Sequence, residues 1–173
     1  MEFNKPVSNP MMMGFIELLK EDPSEEHRSM FVNELVKGSY MAPVNLVPAP
    51  VQTPDGRWVV DPNTQFHFPF LKTTDGKEFF MGFTDQAEFD KWVEVNRPAP
   101  YFALSFEDYA NMMFLADGSG KACTAEGLVI NPMGANVVIP RAMMAGILIT
   151  KLPEVQAHIA KIRNATGMND DIK

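Results

Sequence analysis

Hydrophobic and polar positions change period several times along the chain, and each change marks an element. Met12, Phe15, Ile16 and Leu19 fall at i, i+3, i+4 and i+7, which predicts a helix with one buried stripe. Asn9 is placed to cap it, and Pro10 takes the first helical position, where a missing N–H costs nothing. A second helix starts at Ser24, carries Glu25 and Glu26 at the positive end of its dipole, buries Phe31 and Leu35, and stops at Gly38. From Tyr40 the pattern turns extended. Pro43, Pro48, Pro50 and Pro54 leave room for short strands, and Asp55-Gly56 and Asp61-Pro62-Asn63 read as turns. Strands are predicted over 57–60, 64–72 and 77–83, with Asp75-Gly76 as the hairpin turn between the last two. Pro69 cannot donate to a ladder, so its strand lies at an edge or carries a bulge.

Thr84 is placed to cap a third helix, with Phe89, Trp92 and Val93 inward and Pro98 ending it. A short strand spans 101–104. Ser105 and Asp108 then have capping-box spacing, Leu104 and Tyr109 can staple, and the helix buries Tyr109, Met112, Met113 and Ala116. After a flexible loop at 117–120, strands at 127–131 and 136–139 flank the turn Pro132-Met133-Gly134-Ala135. Pro140 opens a helix through Ile149, and Pro153 opens a last one ending near Gly167. Leu152, Val155, Ile159 and Ile162 form a seam along that last helix. The seam is expected to dock on this chain's own domain, with a neighbouring subunit as the alternative. The elements together predict a single-domain α+β fold, a mainly antiparallel sheet with helices packed against it. Residues 1–150 would form the domain and 151–173 a C-terminal helix and short tail. Phe70, Phe79, Trp92, Tyr109, Leu128 and Ile130 are the expected core.

Composition narrows the chemistry. The 173 residues favour one domain, which folding would bury to roughly 70%. Apolar residues at 46% and charged residues at 21% exclude bulk disorder. A net charge of −7 disfavours nucleic acid as a partner. No segment reaches the ~20 apolar residues of a membrane span, and the run Met11-Met12-Met13-Gly14-Phe15-Ile16 is too short for a signal peptide, so a cytoplasmic location is expected. One cysteine, Cys123, excludes an intrachain disulfide and a Cys-based zinc site. Glu126 opposes thiolate formation there and no Arg follows, so a structural role is expected. His27, His67 and His158 lie on three elements without ligand spacing, and no phosphate-binding glycine loop occurs. No metal site, cofactor or catalytic residue is expected. The 13 methionines are the unusual count, and three in succession cannot all face one core.

Three stretches carry a resemblance. The first is Phe31-x-x-x-Leu35 running into Ser39-Tyr40-Met41-Ala42-Pro43. The second is Pro69-Phe70-Leu71-x-Thr73-x-Asp75-Gly76, followed by Phe83-Thr84-Asp85 and a helix containing Trp92. The third is Gly127-Leu128-Val129-Ile130-Asn131-Pro132, then Gly134-Ala135-Asn136 and Ile139-Pro140. Over roughly residues 8 to 149 the chain resembles the N-terminal domain of the SseB family, the enhanced serine sensitivity proteins. The resemblance implies a bacterial cytoplasmic α+β domain with an accessory or regulatory role and no assigned reaction. Longer members carry a second domain, in whose place a short helical tail is expected here.

The expected function is therefore non-enzymatic, acting through protein–protein interaction with an unidentified protein or, as a homodimer, with a second copy. No nucleic-acid or membrane partner is expected. The expected surface combines the edge strand at His67 and Pro69 with the turn of Asn131, Pro132, Met133, Gly134 and Asn136. The alternative is a small-molecule sensor or enzyme with a pocket lined by Phe and Met.

Overall fold

A computed structural model of the chain describes residues 2–49, 51–55, 58–59, 61–93, 100–115 and 123–151. The elements begin with β1 (Glu2–Phe3), α1 (Pro10–Glu21), α2 (Glu25–Lys37) and β2 (Ser39–Pro43). Short strands β3 (Asn45–Val47), β4 (Val51–Gln52), β5 (Trp58–Val59), β6 (Gln65–His67) and β7 (Leu71–Lys72) lead to β8 (Glu78–Gly82) and α3 (Gln86–Val93). The chain continues through β9 (Tyr101–Ser105), α4 (Phe106–Phe114), β10 (Gly127–Ile130), β11 (Val137–Pro140) and α5 (Arg141–Lys151). Ala116, Pro98, the 117–120 loop, His158 and the tail helix from Pro153 lie outside the described residues.

The fold is α+β. One sheet has the order β1-β9-β2 and is antiparallel throughout; another has the order β11-β10-β8-β7. In the second, β10 runs parallel to β8 while the other pairs are antiparallel. The expectation of a mainly antiparallel sheet holds with that one exception. Its reason is topological, since α3, β9 and α4 intervene between β8 and β10 and form a crossover. The sheets join just past β8, where Met41 and Phe83 exchange both backbone hydrogen bonds (2.9 and 3.0 Å).

Neighbouring strand residues go to different cores. Tyr40, Ala42, Phe80 and Leu104 enter a large cluster with Met12 and Ile16 of α1, Phe31 and Leu35 of α2, Tyr109 and Met113 of α4, and Met144 and Ile147 of α5. Met41, Met81, Phe83 and Tyr101 enter a smaller cluster with Phe89 of α3. The sheet junction is thus covered on both faces, which is why Tyr40 to Pro43 are all buried rather than alternating. Tyr109, Leu128 and Ile130 are fully buried, whereas Phe70, Phe79 and Trp92 keep partial exposure. Of the three successive methionines, Met12 is buried, Met13 half-buried and Met11 60% exposed.

Several caps match their residue types. Ser24 Oγ accepts the His27 N–H, and Ser105 and Asp108 form the reciprocal capping box. Others differ. Asn9 precedes α1, but its side chain makes no cap hydrogen bond; Nδ2 donates to Ser39 O (2.6 Å) and Thr84 O (2.8 Å), tying the helix to the sheet junction. Asp85, not Thr84, caps α3 by accepting the Glu88 N–H at 3.0 Å. Gly38 ends α2 in an extended conformation (φ −68°), and a Cβ there would lie 2.6 Å from the Tyr40 hydroxyl oxygen. That hydroxyl donates to Leu35 O at 2.9 Å and satisfies a carbonyl of the last helical turn.

The strand expected over 64–72 is two strands. Asn45–Val47 pairs with Gln65–His67, while Leu71–Lys72 pairs with β8. Pro69 sits in the break, where its missing N–H takes no ladder bond away. Asp75-Gly76 makes the expected hairpin, with Gly76 at φ +82°. The proline-rich stretch forms a two-stranded arm. Within it β3 pairs with β6, and β4 pairs with β5 (Val51 opposite Val59).

Candidate functional site

The turn after β10 is built on Asn131, which has φ +51°, a conformation asparagine tolerates better than most residues. Its carbonyl accepts the N–H groups of Gly134 and Asn136 (both 2.9 Å), and its own N–H donates to Gly82 O. Its side chain closes a ring with Thr84. Oδ1 accepts the Thr84 N–H at 3.0 Å, and Nδ2 donates to the Thr84 hydroxyl at 2.9 Å. Asn131 is 0% exposed, so what it contributes to the expected surface is the position of the turn. What the turn offers outward is Met133 (50% exposed) with Gly134 and Asn136, while Pro132 is half-buried. Gly134 lies against α3, where a Cβ would come within 2.2 Å of Glu88 Oε2.

His67 and Pro69 are held by other elements. His67 is exposed on β6 opposite Asn45, and Pro69 is half-buried where Phe68 and Phe70 pack onto the large cluster. Phe66, beside His67, is 48% exposed and meets the Phe102 ring edge-on at 5.5 Å. Phe102 in turn contacts Phe3 of β1. The two halves of the expected surface are therefore held by different elements: the β6 edge by β3 and Phe102, the turn by Thr84 and α3.

The arm itself is the feature that sequence reasoning passed over. Val47, Val51 and Val59 are 58%, 68% and 53% exposed and make up the arm's apolar strip on two short ribbons, while Phe66 lies on the other face of its ribbon, with Leu46. Among the described residues each strand of these ribbons pairs with one other strand, as the edge strands of a sheet do. No described residue from Asn45 to His67 belongs to either core cluster. The prolines masked the strip by suggesting breaks; valines on either side of Pro54-Asp55-Gly56 were the signal that could have revealed it.

A polar cleft of about 470 Å³ opens between the N-terminal segment, the end of α2 and the start of α4, with Lys5, Ser8, Asn9, Lys37, Ser39 and Ser105 in its walls. Phe and Met are absent from that lining, so this cleft is not the Phe- and Met-lined pocket of the alternative reading. Among the described residues no three His, Cys, Asp or Glu side chains converge as a metal would require. Cys123 is half-buried against the large cluster, and its carbonyl accepts from Arg141 Nη1 at 2.9 Å. Burial pushes the Tyr40 and Tyr109 hydroxyls well above the ordinary tyrosine range, and both donate to backbone carbonyls, Tyr109 to Met81 O at 2.7 Å. The Asp75 carboxyl is pulled down to about 2, first by the hydrogen bond from Thr73 and then by that from Lys77.

These features define an α+β domain with a sheet covered on both faces and an apolar β-arm outside the core. The SseB protein N-terminal domain matches residues 15–145, and the chain belongs to that family. No curated protein and no solved structure matches it. No helix among the described residues is long and apolar enough to cross a membrane.

Proposed function

We propose that this chain is a non-enzymatic accessory or regulatory protein of the bacterial cytoplasm that acts by binding another polypeptide through the β-arm. The observation that carries the reading is the strip of Val47, Val51 and Val59, exposed on ribbons whose described strands are edge strands. An extended segment of a partner can add to such an edge, main-chain hydrogen bonds giving affinity and the valines giving selectivity. Fully covering one valine is worth about 1.5–3 kcal/mol, and these are already half covered. The strip alone therefore contributes a few kcal/mol, which suits a transient complex. His67 and Pro69 border the strip; the Met133 turn is a separate contact.

The test is a photo-crosslinking amino acid at position 51, used in cells, with one at the exposed Glu21 as control. One dominant adduct from position 51, absent at position 21 and lost when Val47 and Val59 are both Lys, is the expected result. Its mass tells a foreign protein from a second copy. Equal labelling from both positions, or an adduct indifferent to the lysines, overturns the reading.

A further inference from the structure

The segment between β1 and α1 is pinned at both ends and forms one wall of the polar cleft. At its start Asn4 donates its N–H to Tyr101 O at 3.0 Å, and Asn4 Oδ1 accepts the Tyr101 N–H at 3.1 Å. At its end Ser8 bridges to Asp85, and both protons of Asn9 Nδ2 are spent on Ser39 O and Thr84 O. Lys5 and Ser8 are therefore presented from a fixed backbone, so a ligand binding there has little chain to order. The end of α2 and the junction of β9 with α4 complete the walls with Lys37, Ser39 and Ser105. At about 470 Å³ the cleft falls in the ~300–1,000 Å³ range of small-molecule sites, so it has room for more than a lone ion.

Among the described residues the charged groups of the walls are Lys5, Lys37 and Asp108. Asp108 is committed to the α4 cap, its Oδ2 accepting both the N–H and the hydroxyl of Ser105 at 2.9 and 3.0 Å. Lys37 Nζ meets Glu34 at 3.1 Å with 70% of the lysine side chain exposed, a surface pair of little strength, and its ammonium has further protons to give. The cleft thus carries an excess of positive charge on a chain whose net charge is −7. The hydroxyls of Ser8 and Ser39 are exposed and have no partner among the described residues, which leaves two more donors.

These donors define the ligand. Ammonium and hydroxyl groups suit anionic oxygens, and two lysines match a group with two negative charges. Among the described residues the lining has no aromatic ring, so a nucleobase would find nothing to stack on. We propose that the cleft binds a small hydroxylated phosphomonoester of the sugar-phosphate kind, with Lys5 and Lys37 on the phosphate and the serine hydroxyls on the remainder. The cleft shares no lining residue with the β-arm, so this site stands or falls independently of the arm.

The test titrates the full isotope-labelled chain with glucose 6-phosphate and follows the amide signals of Ser8, Ser39 and Ser105 by NMR. The proposal expects saturable shifts with a dissociation constant of about a millimolar or below. Lys5→Gln and Lys37→Gln should each weaken binding by about fivefold or more. Lys20→Gln removes an exposed lysine outside the cleft and should leave the affinity unchanged, which separates the site from net charge. Both cleft lysines are exposed, so their variants should melt with the parent chain, which checks that they fold. Glucose alone should shift nothing, and inorganic phosphate should bind about tenfold more weakly than the ester. Absence of saturation, or equal weakening by Lys20→Gln, would overturn the proposal. Inorganic phosphate binding as tightly as the ester would also overturn it, reducing the cleft to a site for an ion only.

Discussion

Asn131 meets three demands together: a φ of +51°, an acceptor for the Thr84 N–H and a donor to the Thr84 hydroxyl. Alanine fails all three in a fully buried place, so Asn131→Ala should cost about 2–4 kcal/mol in urea denaturation. Asn131→Gly loses the same bonds but accepts the positive φ, and should be about 1 kcal/mol less harmful. Equal losses would show that the hydrogen bonds alone hold the turn. The residue's type and its place between strands were legible in the sequence, but its burial was not. A polar residue beside a turn reads as exposed until the partner appears, and Thr84 lies 47 positions away. Asn9 repeats the lesson, since a cap by position became a tie between α1 and the carbonyls of Ser39 and Thr84.

Among the elements, the β7–β8 hairpin is held by surface charge as well as by its turn. Asp75 accepts from the Thr73 hydroxyl and pairs with Lys77 at 2.9 Å; Lys72 pairs with Glu78 at 2.8 Å. The Lys72 hydrogen bond leads the lowering of the Glu78 carboxyl. Both acids have folded values below their unfolded ones, so their contribution is complete above about pH 5 and is lost as pH falls through the folded values, about 2 for Asp75. Carboxyl titration by NMR should place Asp75 at about 2, and Thr73→Ala should move it towards the ordinary aspartate range. An unchanged titration would remove Thr73 from the account. This hairpin was legible because Asp-Gly and its flanking strands are contiguous. The break at Pro69 and the parallel pairing of β10 with β8 were not, because strand partners are chosen in three dimensions while the pattern along the chain fixes faces alone. The paired helices α1 and α2 read well, since their stripes and ends lie within one short window.

For the molecule as a whole, arm and core are separable. Val47 and Gln65 are cross-strand partners, so residues 48–64 can be replaced by Asn-Gly to leave a two-residue hairpin. The melting temperature should fall by less than about 4 °C, equivalent to roughly 1 kcal/mol at this size. The contacts formed by the strip should vanish. A collapse of the fold would mean that the arm supports the domain. The class of fold was legible as a whole, while the division of the sheet between two cores was not, because Tyr40 and Met41 are equally apolar and only packing separates them. The position of β9 between β1 and β2 has a consequence for synthesis. Ser39 has its partner in Ser105, and Glu2 in Ala103, so both outer strands leave the ribosome long before the strand that joins them. At about 5–20 residues per second the wait lasts several seconds. During it Met12, Ile16, Phe31 and Leu35 have one another for shelter and no finished sheet. The nascent chain is in its most aggregation-prone form over that interval, and a cell that makes it quickly must have chaperones at hand to cover it.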